Sequence, residues 1–109
     1  MDISLLPYVN ELPDLNHQIL ESWMSDVLKR QSLSLEQLIK TIDRLAIAEH
    51  NRWNTFHVVH NWRYGPIKNE QFKTHDCLLS WSDLKQKRPD TIKYDYNNVY
   101  RIDEQSLLN

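Results

Sequence analysis

The sequence predicts a mainly α-helical domain with a minor β component, and three observations carry that reading. Apolar residues recur at helical spacing over residues 15–29 and again over residues 35–62. Turn and capping residues bound these stretches, and the chain holds a single glycine, Gly65. Residues 67–81 lack a helical period and read as loop and short extended pieces. A chain of 109 residues is long enough for one domain and too short for two. The expected organisation is an N-terminal arm and helix over residues 1–34, packed on a domain over residues 35–109.

Each element has a local cause. Pro7 and Pro13 punctuate the arm, and Asp14 is a suitable N-cap for the first helix. Leu15, Ile19, Trp23 and Val27, with Leu20, Met24 and Leu28 beside them, form a stripe that must be buried. Ser34 followed by Gln37 reads as a capping box opening the longest helix, residues 35–62. Leu38, Ile42, Leu45, Glu49, Trp53 and Phe56 share one of its faces. Tyr64-Gly65-Pro66 should close it, Gly65 taking the left-handed cap and Pro66 blocking continuation. Ser80 or Ser82 caps a short helix over residues 84–87, and Asp90 caps a last one over residues 91–107.

Composition excludes several functions. A net charge of −2 gives no basic surface for a nucleic-acid polymer. One glycine rules out the glycine-rich phosphate loops, and one cysteine rules out an internal disulfide. No stretch is apolar enough for a membrane span or a signal peptide, so the expected location is the cytoplasm, that of the host cell if the chain is phage-encoded.

A series of residues carries a family resemblance. It runs Leu45-Ala46, Glu49-His50, Arg52-Trp53, then Trp62-Arg63-Tyr64-Gly65-Pro66, then Lys73-Thr74-His75, Leu78, Trp81, Leu84, and finally Lys93-Tyr94-Asp95 and Val99. In order and spacing it resembles the ryanodine-receptor repeat, or RyR domain, in its stand-alone bacterial and phage form. Two positions depart from that pattern: Asn61 stands where glycine is usual, and Asp76 where proline is usual. The resemblance implies a single repeat-like domain with a long central helix, short extended segments and flanking helices. It also implies a non-enzymatic module for a nucleotide or nucleotide-derived signal of purine or ADP-ribose type. The repeats of the receptors work in pairs, which implies a homodimer here. In bacteria the domain lies near nucleotide-signalling and defence components, so a phage sponge for a signalling nucleotide is one alternative. A protein-interaction module is another, and a hydrolase using His75 and Glu49 is a third.

The site residues expected on these grounds are Trp62 for stacking, Arg63 and Lys73 for anionic groups, and Tyr64, His75 and Glu49 for hydrogen bonds, with His50 and Trp53 beside them. Several have plainer readings. Glu49 could be a structural ion pair with Arg52, His50, Lys73 or His75, because an unpaired carboxylate on an apolar face is expensive. Trp53 continues the apolar stripe and reads as core, and Trp62 could be satellite core. His57 and His60 lie one turn apart, but no complete metal-ligand set accompanies them, and Cys77 follows no zinc spacing. The expectation is no metal, no cofactor and no catalytic residue.

Overall fold

The computed structural model describes residues 2–108, with side chains described through Arg101. It is mainly α with minor β. Two short 3-10 turns, Ile3–Leu5 and Val9–Glu11, precede helix α1 (His17–Arg30) and helix α2 (Leu35–Val59). Strands β1 (Arg63–Tyr64) and β2 (Thr74–His75) follow, then helices α3 (Trp81–Lys87) and α4 (Ile92–Leu108).

The arm is more ordered than its prolines imply. Ile3, Leu6, Val9, Leu12 and Leu15 recur every three residues, the period of a 3-10 turn, and all are buried. They join Leu20 and Met24 of α1, Leu38, Ile42 and Ala46 of α2, and Tyr96, Val99 and Tyr100 of α4 in one core. Tyr100 Oη donates to the Pro7 carbonyl at 2.7 Å, and the Tyr8 and Tyr96 rings lie 4.8 Å apart, so arm and last helix are fastened together. Helix α1 begins two residues later than expected: Asn16, not Asp14, supplies the cap, its side chain accepting from the Ile19 amide at 3.1 Å.

Helix α2 opens with the expected capping box between Ser34 and Gln37. Its buried face differs from the expected one. Leu38, Ile42, Ala46 and His50 are inside, whereas Leu45 and Phe56 are 45% and 54% exposed. The stripe runs in steps of four.

The end of α2 corrects a second expectation. The helix stops at Val59, and Asn61 takes the left-handed conformation with φ 69°. Trp62 N–H donates to the His57 carbonyl at 2.8 Å and Asn61 N–H to the Val58 carbonyl at 3.0 Å, the two bonds of a Schellman motif. Asparagine is the residue after glycine that best tolerates this conformation, which accounts for its place where the family pattern has glycine. Gly65 serves a different purpose. Strands β1 and β2 pair in parallel, Arg63 with Thr74 and Tyr64 with His75, and a Cβ on Gly65 would lie 2.7 Å from the Thr74 Cβ. Only glycine lets the chain pass there without displacement.

Ser80 caps α3, accepting from the Asp83 amide. Helix α4 starts two residues beyond Asp90, whose carboxylate takes the Arg88 guanidinium at 3.1 and 3.2 Å. Cys77, Leu84 and Ile92 form a second, smaller cluster with Trp53, Leu79 and Trp81 against it. The candidate site lies over this cluster.

Candidate functional site

A cleft of about 630 Å³ opens between the C-terminal half of α2, the start of α4 and the segment that carries β2. Trp53 lines it. The indole is half-buried, which corrects the reading of Trp53 as a residue of the main core. On one side it stacks on His50, with ring centroids 5.7 Å apart and planes 18° apart. It also meets His57 at 4.1 Å, with planes 40° apart, and His75 edge to face at 5.0 Å. The placement follows from α2: Ala46 and His50 turn into the protein, and Trp53, about one turn on, is half-buried.

The side of the cleft beyond His50 is acidic and buried. His50 and Asp95 are 3% and 8% exposed and face one another, Nδ1 to Oδ2, at 3.7 Å. Burial, then the neighbouring charge of Glu49, pushes the Asp95 carboxyl up to about 7. Asn98 of α4 also lines this side, one turn beyond Asp95.

The side beyond His75 is mixed in charge. Cys77 N–H donates to His75 Nδ1 at 3.0 Å, so that nitrogen is an acceptor, and burial holds the imidazole below its ordinary range. Asp76 forms an ion pair with Arg88, which Asp90 also holds. This pair anchors the turn after β2, the work a proline would otherwise do by rigidity. Lys68, on the turn between the strands, brings a second cation to the lining.

A metal could be sought at His75, Asp76 and Cys77, whose ligand atoms lie within 4.8 Å of one another. Two of the three are otherwise engaged. His75 Nδ1 receives the Cys77 amide, and Asp76 is tied to Arg88. Burial pushes the Cys77 thiol up, away from the thiolate that a soft metal or a nucleophilic step requires. His57 and His60 each bond to a helix carbonyl through Nδ1, to Trp53 and Phe56 respectively.

A family model, the RyR domain, fits residues 28–102, more than half of the chain. The chain belongs to the RyR domain family. No curated protein and no solved structure matches it. The family match begins inside α1, so the RyR domain here includes the last residues of that helix and runs through most of α4. It reaches further toward the N-terminus than the motifs from Leu45 onward had indicated.

Within this RyR domain the expected site residues separate into two groups. His50, Trp53 and His75 line the cleft together. Glu49 lies behind it, 11% exposed, taking Arg52 through two hydrogen bonds of 2.6 and 3.0 Å and Asn98 through one of 3.3 Å. The Arg52 hydrogen bonds hold its carboxyl below the usual range, so the expected ion pair exists and Arg52 is the partner. Trp62 is half-buried outside the lining, meeting the edges of His57 at 5.5 Å and His75 at 6.4 Å. Arg63 and Tyr64 are exposed on β1, where the Tyr64 ring lies 5.8 Å from Lys87 Nζ. Lys73 turns away to the end of α2, donating to the His60 carbonyl at 3.3 Å.

Sequence reasoning missed Lys68, Arg88, Asp95 and Asn98. A signal for Asp95 was present: the Tyr94-Asp95 pair belongs to the resemblance, and Asn98 follows Asp95 by one helical turn.

Proposed function

We propose that this RyR domain binds a small, nucleotide-like ligand in the cleft, with the ligand's flat ring on Trp53. The observation that carries the reading is the arrangement around that indole. A buried acidic group without a hydrogen-bond donor, Asp95, and the cation Lys68 line the same cleft, which has the volume of small-molecule sites. A ring stacks on Trp53, hydrogen-bonding atoms meet His50, Asp95 and Asn98, and an anionic group meets Lys68. This moves the principal anchor from Trp62 to Trp53 and the anion contact from Arg63 and Lys73 to Lys68.

Calorimetry with purine nucleotides tests the placement. Trp53→Ala should weaken binding about tenfold to a hundredfold, the worth of one stacked base, and Trp62→Ala much less. The reverse order would return the site to the rim of β1. Phe56, Val58 and Val59, exposed on the last turns of α2, leave an apolar end that suits a two-fold homodimer, which light scattering reads directly.

A further inference from the structure

The acidic side of the cleft has a hydrogen-bonding pattern that narrows what can occupy it. His50 Nε2 lies 2.8 Å from the Leu79 carbonyl, which can only accept, so Nε2 carries a proton. Asn54 Nδ2 donates to the same carbonyl at 2.9 Å and holds it in place. In the neutral ring Nδ1 is therefore a lone pair, and it is turned toward Asp95. Asp95 makes no hydrogen bond among the described residues, although its side chain is only 12% exposed. Two acceptors thus stand side by side at the cleft wall without a donor. Behind them on α2 is Glu49, negative but satisfied by Arg52 and Asn98. The other charged or titratable groups lining the cleft are Lys68, His75, Asp76, Cys77, Arg88 and Tyr94, and of these Arg88 is neutralised by Asp76 and Asp90.

We propose that His50 and Asp95 together select a ring edge presenting adjacent N–H donors, as guanine or a cationic amidine does, over the donor–acceptor edge of a 6-aminopurine. The inference rests on the cleft being the binding site and deepens that reading. When the cleft is empty, Asp95 holds a proton, since a carboxylate buried there without a donor is costly. The elevated Asp95 value, about 7, agrees with this. Two N–H groups of the ligand replace that proton, which leaves to solvent. A 6-aminopurine presents an acceptor beside its donor, so it requires the pair to keep the proton and gains nothing from losing it.

Calorimetry with GMP, AMP and benzamidine at pH 6 and pH 8 tests the proposal. At pH 8 GMP should bind about tenfold to a hundredfold more tightly than AMP, the range for hydrogen bonds to a charged group. GMP affinity should rise about tenfold from pH 6 to pH 8, with a buffer-dependent enthalpy reporting the released proton. AMP, whose phosphate titrates in the same way, should show no such rise. Asp95→Asn should abolish both the preference and the rise; the comparison of ligands on the parent protein needs no variant. Benzamidine binding that Asp95→Asn abolishes, with GMP silent, supports the donor-edge selection and assigns it to a free amidine. Trp53-dependent binding of AMP as tight as that of GMP at pH 8, or a GMP affinity indifferent to pH, overturns the selection and leaves the cleft reading standing. No binding of any of the three at millimolar concentration overturns both.

Discussion

A side chain on Gly65 would collide with Thr74: the added Cβ would come within 2.7 Å of the threonine Cβ and 3.0 Å of its Cγ2. The threonine cannot easily yield, because its hydroxyl donates to the Ile67 carbonyl at 2.9 Å and its backbone pairs with Asn69. The contact fixes how closely β1 passes β2, and β2 carries His75 into the cleft.

Gly65→Ala should therefore destabilise the protein by about 1–3 kcal/mol, the usual range for forcing extra volume into a closed contact. Asn61→Gly should be neutral or slightly stabilising, since its φ of 69° is the conformation glycine accepts freely. Asn61→Ala should cost about 1 kcal/mol. Urea unfolding of the three variants tests the division of labour. Equal losses at both positions would contradict it.

Trp53→Ala should be a binding variant more than a folding variant. Its ring is half-buried over the smaller cluster, so the loss of stability should be about 1–2 kcal/mol. Leu20→Ala or Ile42→Ala, fully inside the main core, should cost about 2–5 kcal/mol. Thermal melts rank the three, and a Trp53→Ala loss equal to that of Leu20→Ala would return Trp53 to the core.

The stability of the protein should fall as pH rises from about 4 to about 7 through the action of Asp95. Its folded-state value lies above the unfolded one, so the folded protein holds this proton more tightly. That preference favours folding at low pH and is lost as pH passes through about 7. Asp95→Asn should consequently raise stability at pH 8, by on the order of 2 kcal/mol, and flatten this part of the profile. Glu49 acts in the opposite sense: its value is depressed by Arg52, so its contribution is present at neutral pH and lost on acidification. Melting curves of the parent, Asp95→Asn and Glu49→Gln between pH 3 and pH 8 separate the two. A rise in parent stability from pH 5 to pH 8 that Asp95→Asn leaves unchanged would count against the account of Asp95.

The N-terminal arm should be inseparable from the last helix. Tyr100→Phe removes a buried hydrogen bond and leaves the Pro7 carbonyl without its partner, a loss of about 1–3 kcal/mol. Hydrogen exchange should show the amides of residues 5–15 losing protection first in that variant. Unchanged protection there would mean that the buried apolar residues alone secure the arm.

By itself the sequence determined the helical class, the break between α1 and α2, the Ser34–Gln37 box, the loop-rich third quarter and the family, because each of these depends on neighbours within a turn or two of chain. Helical spacing also brought Glu49 and Arg52 together as foreseen. The tertiary structure decided the rest. Whether Gly65 or Asn61 caps α2 turned on Thr74, nine residues beyond Gly65 in the chain, coming too close for any side chain but hydrogen. The buried face of α2 was set by its packing on α4, which left Leu45 and Phe56 exposed and His50 inside. The acidic side of the cleft joins His50 and Leu79 to Asp95, residues far apart in sequence that no periodicity relates. Local patterns specify which face of an element is apolar. What an unpaired polar group on that face meets depends on which other element arrives, and only the packed chain decides that.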